Sequence, residues 1–446
     1  MRLASTNGQA ADTDLRTALF RGLAPDGGLY LPRELLQLPR EVIGQLPGAS
    51  WIEVATVLGT HLLGNDLDKN ELSGIIQEAL DFPIPLVRLG ERVFVLELFH
   101  GPTLAFKDVG ARFMARLMAR YLNPDDPPLT VLAATSGDTG SAVAHAFLGV
   151  PNTRSVILYP EGQVSDLQER LFTTLGENVT ALSVLGSFDD CQRMVKEAFL
   201  DDELRSRLTL TSANSINVGR LLPQIFYYFH AWGQLAGGGF QELRTAGDGE
   251  VPGGDLVLAV PSGNLGNLCA GLMAKRLGLP ASSFVAACNS NDVFPSFLET
   301  GEFHPQPSRA TISNAMDVGN PSNLARIMDL YDGDAGRVGS DVMASSHSDA
   351  DTLRCMAQIF DRTGYTLDPH TAVGYLAMER ALGGLRGGVG ILLATAHPVK
   401  FGDVVREATG ETVEIPDQLK VYLEREPCFE RISPDLDALR EALQAK

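Results

Sequence analysis

Short apolar runs recur along the chain, and a stretch with the apolar spacing of a helix follows each of them. The runs are VFVLEL at 93–98, LTVLAAT at 129–135, SVILYP at 155–160, VTALSVL at 179–185, DLVLAV at 255–260, FVAACN at 284–289 and VGILLATA at 389–396. Several are almost wholly apolar, which is typical of strands buried on both faces of a parallel sheet. The alternation of strand and helix predicts an α/β architecture with covered sheets.

The two ends of the chain lack this alternation. The first 90 or so residues are typical of a mainly helical N-terminal domain that ends near PIPL at 83–86. DLDALREALQA at 435–445 has the spacing of an amphipathic terminal helix. The glycine-rich, polar stretch at 237–254 predicts a surface loop.

Length and charge limit the possible functions. A chain of 446 residues can bury two or three cores. Its 36 Lys and Arg against 55 Asp and Glu give a formal charge of −19, which argues against nucleic acid and anionic membranes as partners. A phosphorylated substrate would therefore require a local positive pocket inside an acidic protein.

The cysteines and the N-terminal segment predict a soluble cytoplasmic protein. The five cysteines are odd in number and show no C-x-x-C spacing, so we expect reduced thiols and neither a disulfide framework nor a metal site. The segment MRLASTNGQAAD has no apolar core of the kind that signal peptides have. No apolar run reaches the roughly 18 residues that a membrane-spanning helix needs.

Two glycine-rich turns directly follow predicted strands, SGDTG at 136–140 and SGNLGN at 262–267. A turn of this kind presents free backbone N–H groups and the positive end of a helix, which suits an anion. Neither turn matches G-x-G-x-x-G or the P-loop pattern, which disfavours a nicotinamide dehydrogenase. Taken alone, each turn is equally well explained as a tight connection.

Lys107 follows the apolar residues LAF at 104–106 and precedes Asp108 where a helix is predicted to begin. Apolar surroundings lower the pKa of a lysine and free its amine to form a Schiff base. The alternative is a surface lysine paired with Asp108, which is the commoner situation for an isolated F-K-D sequence.

The segments GPTLAFKD at 101–108, SGDTGSA at 136–142 and SGNLGN at 262–267, in this order, resemble the fold-type II pyridoxal-phosphate enzymes. Further segments resemble the threonine synthase family within that group. They are STNG at 5–8, GLAPDGGLYLP at 22–32, ANSINVGRLLPQ at 213–224, AMDVGNPSN at 315–323 and ATAHPVKF at 394–401. The likeness runs from about residue 3 to about residue 405. It departs from the family's usual residues at Leu3, Asn7 and Leu265.

The resemblance implies two α/β domains around a cofactor cleft and an N-terminal domain over 1–90. The larger, cofactor-binding domain would comprise 91–124 and 213–430, and the smaller domain 125–212. Residues 431–446 would form the C-terminal helix.

The resemblance also implies roles for single residues. Lys107 would carry pyridoxal 5′-phosphate and move protons. The cofactor phosphate would be held by Gly263, Asn264, Leu265, Gly266 and Asn267, the pyridine nitrogen by Thr395, and the 3′-oxygen would lie near Asp138. Ser136 and Thr139 would hold the substrate carboxylate. The substrate phosphate would be bound by Asn214, Ser215, Arg220 and Lys400.

Several of these residues can also be explained by a purely structural role. Asn214 or Ser215 would cap a helix, with Arg220 facing solvent. Thr395 would simply end its strand. His100 and His397, near the lysine and the last motif, are as compatible with structural hydrogen bonds as with catalysis.

The implied reaction converts O-phospho-L-homoserine and water to L-threonine and phosphate. One alternative is a phospho-lyase or dehydratase on the same scaffold that releases a 2-oxoacid. Another is a binding protein that keeps the cofactor without turnover, which would be expected to lose Lys107 or Arg220. The expected partner is the small-molecule substrate, with a monomer or homodimer as the assembly.

Overall fold

The computed structural model describes residues 1–123, 125–238, 255–385 and 387–444. The strands are β1 Arg2–Ser5, β2 Thr13–Asp14, β3 Tyr30–Pro32, β4 Leu86–Arg88, β5 Val93–Glu97, β6 Leu129–Ala134, β7 Thr153–Pro160, β8 Val179–Val184, β9 Thr209–Ser212, β10 Leu256–Pro261, β11 Ser283–Cys288, β12 Val342–Ser346, β13 Val389–Ala394 and β14 Glu430–Ile432.

The helices lie between these strands, except for α20, which follows β14. They are α1 Leu15–Arg21, α2 Arg40–Ile43, α3 Trp51–Leu63, α4 Lys69–Ala79, α5 Lys107–Tyr121, α6 Asp138–Phe147, α7 Asp166–Thr173, α8 Phe188–Leu200, α9 Asp202–Arg207, α10 Val218–Leu221, α11 Gln224–Ala236, α12 Gly266–Arg276, α13 Val293–Thr300, α14 Leu324–Leu330, α15 Ala335–Asp341, α16 Asp349–Thr363, α17 Pro369–Gly383, α18 Gly402–Thr409, α19 Asp417–Leu423 and α20 Leu436–Gln444.

A six-stranded sheet in the order β12-β11-β10-β13-β5-β4 forms the larger layer. All of its pairings are parallel except β4 with β5. Alternate residues of β10 enter different cores, since Leu258 and Val260 belong to the core that also contains residues of α12, while Val257 and Ala259 belong to the core that contains residues of α17. Burial on both faces explains why this strand is apolar throughout.

A five-stranded sheet in the order β14-β8-β7-β6-β9 forms the second layer, and every pairing in it is parallel. Its cores continue into α6 on one side and α8 and α20 on the other. The seven strands predicted from apolar runs are all present, as β5, β6, β7, β8, β10, β11 and β13. The α/β fold class is thus confirmed.

The structure differs from the predicted domain limits at two strands. β4 lies inside the range 1–90 but pairs with β5 in the six-stranded sheet. β14 lies at the junction of the ranges 213–430 and 431–446 but pairs with β8 in the five-stranded sheet. Most of the predicted surface loop at 237–254 lies outside the described residues.

The N-terminal region contains the expected helices and also a small sheet in the order β2-β1-β3. Asp26 ties together the segments next to this sheet. Its carboxylate accepts hydrogen bonds from Ser5 Oγ and from the backbone N–H groups of Gln9, Ala10 and Gly28. The motifs STNG and GLAPDGGLYLP are thereby explained as two halves of one structural unit. No helix in the described part of the chain is long and apolar enough to cross a membrane.

Candidate active site

The predicted site segments follow the carboxyl ends of β5, β6, β10 and β13. Three of these strands, β10, β13 and β5, are consecutive parallel neighbours, so the segments after them lie side by side. The segments after β5 and β13 also pair directly, through Phe106 N–H to Thr395 O at 2.9 Å and His397 N–H to Leu104 O at 3.1 Å. Ligands of open α/β sheets bind at this edge.

Lys107 is the first residue of α5, and its side chain is 16% exposed. Burial lowers the pKa of Lys107 from its usual 10.5 to about 8, while Asp138 acts in the opposite direction and the charges of Lys400 and Arg220 lower it further. Near neutral pH, an appreciable fraction of this amine is therefore uncharged and nucleophilic.

Asp108 is not the partner of Lys107. Its carboxylate is fully buried and accepts hydrogen bonds from Thr103 N–H at 2.9 Å and Thr103 Oγ1 at 2.6 Å. These bonds shape the turn that precedes the lysine, and a Cβ on Gly101 would come within 2.5 Å of the Asp108 carboxylate. The alternative of a surface Lys107–Asp108 pair is wrong.

Asp138, at the start of α6, faces Lys107 instead. Its Oδ2 lies 3.9 Å from Lys107 Nζ, and its Oδ1 accepts from Lys400 Nζ at 2.6 Å and Gln168 Nε2 at 2.7 Å. Burial would raise the pKa of Asp138, but the charges of Lys400 and Lys107 outweigh burial and hold it well below its usual range. Asp138 is therefore a buried carboxylate that stays ionised.

The loop 262–267 forms a tight cradle between β10 and α12. A Cβ at Gly263 would lie 2.8 Å from Met316 Cα and 3.0 Å from Ala315 O, so a side chain there would meet backbone. Leu265 adopts φ 58°, a left-handed conformation that bulky residues rarely adopt and that turns the chain into the helix. The Leu265 side chain is buried.

Asn264 and Asn267 anchor this cradle to its surroundings. Asn264 donates from Nδ2 to Ser215 Oγ at 2.6 Å and accepts from Ser322 N–H at 2.6 Å. The Asn267 side-chain oxygen accepts from the hydroxyls of Tyr227 at 2.6 Å and Tyr228 at 2.7 Å. Asn267 Nδ2 is buried and has no hydrogen-bond partner among the described residues. An unpaired buried donor in a glycine cradle suits a bound anion.

Arg220 lies within the site and not on the surface. It is 4% exposed, its Nη1 donates to Ala213 O at 2.5 Å, and its Nε has no partner within the part of the chain that the structure describes. Burial lowers the pKa of Arg220 to about 10, which leaves it charged at neutral pH. The N-cap of α10 is Asn217, so the alternative of capping by Asn214 or Ser215 is wrong.

The remaining predicted residues take different places. Ser136, in the turn between β6 and α6, and Thr139, at the second position of α6, are partly exposed. Thr395 is 6% exposed just after β13. The structure differs from the prediction for Lys400, because its fully buried ammonium is bound to Asp138 and, at 2.6 Å, to Thr103 O.

Each of the two histidines makes a contact through one ring nitrogen. Burial lowers the pKa of His397 to about 4, and its Nδ1 accepts from Val399 N–H at 3.1 Å. His397 is therefore neutral at physiological pH, and its Nδ1 already accepts a hydrogen bond. His100 Nε2 lies 2.7 Å from Glu97 Oε2, at the margin of the site.

Sequence reasoning missed Arg326, which is fully buried and joins three parts of the chain. Its guanidinium donates to Tyr30 O in the N-terminal region and to Ser215 O and Ile216 O in the candidate phosphate loop. In the sequence it stands in the amphipathic run LARIMDL, where nothing distinguishes it from a solvent-facing arginine.

The residues present fit pyridoxal phosphate: a nucleophilic buried lysine, a cradle that a Cβ would fill and an unpaired amide donor within it. The fold and site thus define a pyridoxal-phosphate-dependent enzyme. Consistently, residues 80–395 match the family described as pyridoxal-phosphate dependent enzyme. Residues 2–80 match the threonine synthase N terminus, and residues 371–443 match the threonine synthase C-terminal family.

Known relatives define the family further. Threonine synthase of Escherichia coli K12 is 40% identical over 443 residues, which cover 99% of both chains. That of Serratia marcescens is 41% identical over 426 residues, covering 95% of this chain and 94% of the relative. The crystal structure of the E. coli enzyme superposes with a TM-score of 0.90 at 39% identity, covering 100% of both chains. The PLP-bound threonine synthase of Brucella melitensis gives 0.89 at 36% identity, covering 100% of this chain and 99% of that one. The chain belongs to the threonine synthase family.

Proposed function

We propose that the chain converts O-phospho-L-homoserine and water to L-threonine and phosphate, with Lys107 as the proton-transferring residue. The observation that carries this proposal is the mostly buried Lys107 amine, with a pKa of about 8, at the sheet edge that also carries the glycine cradle and close enough to Arg220 for its charge to lower that pKa. An amine with such a pKa can act as base and acid in one cycle near neutral pH.

The cofactor would be held by residues of the six-stranded sheet. Backbone N–H groups of 263–267 and the unpaired Nδ2 of Asn267 would bind its phosphate. The Thr395 hydroxyl would meet its pyridine nitrogen, and Lys107 Nζ would hold it covalently. When bound, pyridoxal phosphate supplies an electron sink for negative charge that develops beside the substrate amino group.

Lys107 would perform the proton transfers in sequence. Its free amine takes the proton from the substrate Cα and passes it to the substrate phosphate group, which leaves the amine free to take a second proton from Cβ as hydrogen phosphate departs from Cγ. Lys107 then gives that second proton to Cγ, takes a proton from the water that adds at Cβ, and delivers it to Cα, so that its amine ends the cycle uncharged. Asp138, 3.9 Å from Nζ, stabilises the ammonium that forms between these transfers.

The substrate would lie between the two sheets. Ser136 and Thr139, in the turn before and within the start of α6, would hold its carboxylate with free backbone N–H groups. Arg220 and the loop with Asn214 and Ser215 would hold its phosphate. A buried, charged guanidinium whose Nε has no hydrogen-bond partner among the described residues supplies the local positive charge that a phosphorylated substrate needs in an acidic protein. We also propose that the protein is cytoplasmic and acts as a monomer or homodimer, and that it has no nucleic-acid partner, which its charge of −19 disfavours.

The substrate phosphate site can be tested with Arg220→Ala. We expect kcat/KM for O-phospho-L-homoserine to fall roughly ten- to hundredfold, the loss of about 1.5–3 kcal/mol of charge-assisted binding. Bound cofactor, measured by absorbance, should stay at the parent level. Arg220→Lys keeps the positive charge but loses the paired N–H donors of the guanidinium, so it should be less impaired than Arg220→Ala. Arg354→Ala, at a side chain that is 65% exposed, serves as the control. Unchanged kinetics in Arg220→Ala would remove Arg220 from the site.

A further inference from the structure

Lys400 is an unusual lysine because its side chain is 0% exposed. Its ammonium contacts Asp138 Oδ1 at 2.6 Å and Thr103 O at 2.6 Å. A lysine buried to this degree requires partners of this kind, since an unpaired buried charge is strongly unfavourable. Its position is therefore set by Asp138 and Thr103.

The contacts of Lys400 join the two sheets. Lys400 follows β13 and Thr103 follows β5, both in the six-stranded sheet, whereas Asp138 follows β6 in the five-stranded sheet. Gln168, which lies in α7, donates from Nε2 to the same Asp138 oxygen at 2.7 Å. With Oδ1 occupied by two donors, the other carboxylate oxygen, Oδ2, is directed to Lys107 at 3.9 Å.

We propose that Lys400 is a positioning residue that acts through Asp138, and that it does not bind the substrate phosphate. It fixes the Asp138 carboxylate, carried by one sheet, against the Lys107 amine, carried by the other. Asp138 Oδ2 is then the ionic partner of the Lys107 nitrogen throughout the proton transfers. The inference deepens the proposed function, on which it rests for the importance of Lys107.

Other charges face this cluster and set its balance. Arg220 and Lys400 both repel a charged Lys107, and Asp138 attracts it. Asp108 lies near enough to Arg220 and Lys400 to interact with their charges. His145 is held neutral by burial, which lowers its pKa to about 4. Lys400 and Asp138 therefore have opposite effects on the Lys107 nitrogen, although they touch each other.

Because Lys400 and Asp138 act in opposite directions on the Lys107 nitrogen, a positioning role can be distinguished from general damage to the structure. In cofactor-loaded protein, the absorbance titration with pH reports the proton equilibrium at the Lys107 nitrogen. Lys400→Met removes a repelling charge, so its titration midpoint should rise by roughly one pH unit. Asp138→Asn is nearly isosteric and removes the attracting charge, so its midpoint should fall by a similar amount. The double variant should lie between the two, because the pair shares one interaction.

The phosphate role is tested in parallel by calorimetric titration of the same proteins with inorganic phosphate. Lys400→Met should bind phosphate within about twofold of the parent, and Arg220→Ala should bind it more weakly by tenfold or more. Turnover of Lys400→Met should fall in kcat with KM for O-phospho-L-homoserine nearly unchanged.

Three outcomes would overturn the proposal. A tenfold loss of phosphate binding in Lys400→Met with an unmoved midpoint would make Lys400 a phosphate ligand. Midpoints that move in the same direction in both single variants, or that stay at the parent value, would leave the cluster a purely structural pair. Should Lys400→Met fail to fold, the fall of the midpoint in Asp138→Asn still decides whether Asp138 is the partner of Lys107. The spectral and calorimetric results do not depend on threonine formation, so failure of the proposed function is recognised separately.

Discussion

Lys107→Ala is expected to lower kcat for threonine formation by roughly 10³-fold or more, since proton transfer by a positioned side chain alone contributes about 10²–10⁴. The variant loses both the covalent hold on the cofactor and the amine that moves protons. Its fold should be kept, because the lysine lies at the first position of α5, where alanine is well tolerated. Steady-state assay with added cofactor and thermal melting measure the two effects.

Lys275→Ala is a matched control for this variant. Lys275 also pairs with an aspartate, Asp341 at 2.7 Å, but lies at the end of α12 away from the strand edge. Borohydride reduction of the parent protein should fix the cofactor's mass on the peptide that contains Lys107. Label on another lysine, or parent-level activity of Lys107→Ala, would contradict the assignment.

Gly263→Ala is expected to weaken cofactor binding roughly five- to hundredfold. The added methyl group would lie 2.8 Å from Met316 Cα and 3.0 Å from Ala315 O. Backbone atoms cannot move aside as a flexible side chain can, so the loop 262–267 must shift. Overpacking of this kind costs about 1–3 kcal/mol. Here the shift displaces the N–H groups that would hold the cofactor phosphate.

Equilibrium dialysis of pyridoxal phosphate against the stripped protein measures this loss. Gly74→Ala is the matched control, because a Cβ there meets nothing within 4 Å. It sits inside α4, where alanine favours the helix, and should bind cofactor as the parent does. If Gly263→Ala also keeps its cofactor, the 262–267 loop does not bind it.

The strands that can be predicted from the sequence are those that are buried on both faces, because their own residues are then almost all apolar. β10 and β13 are apolar on every residue because helices cover both faces, and that pattern is visible without a structure. β14, with the sequence ERI, gives no such pattern, since two of its three residues are exposed. Its place beside β8 depends on how α20 packs on α8, and a sequence does not show a contact over such a separation.

The easiest site residues to propose from the sequence are those whose residue type suits the chemistry and whose segment forms a recognisable motif. Lys107, Gly263 and Arg220 follow from motif and residue type. The structure places Lys107 and Gly263 at the same edge of the six-stranded sheet, and Arg220, which follows β9 of the other sheet, close enough for its charge to act on Lys107. Lys400 has the same charge as Arg220, and sequence reasoning gave both to the substrate phosphate. The structure places them differently, because Lys400 is bound to Asp138, whereas Arg220 Nε has no hydrogen-bond partner among the described residues. Which partner a buried cation takes depends on the packing of two sheets, and residue type does not determine it.

Product analysis in ¹⁸O-enriched water tests the account most directly. The protein is incubated with pyridoxal phosphate and O-phospho-L-homoserine, and amino acids, 2-oxoacids and phosphate are measured together. We expect threonine and phosphate in equal amounts, with the heavy oxygen in the threonine hydroxyl, because water adds at Cβ after phosphate leaves Cγ. Release of phosphate with a 2-oxoacid and ammonia, without threonine, would contradict the proposed function and indicate a phospho-lyase on this fold.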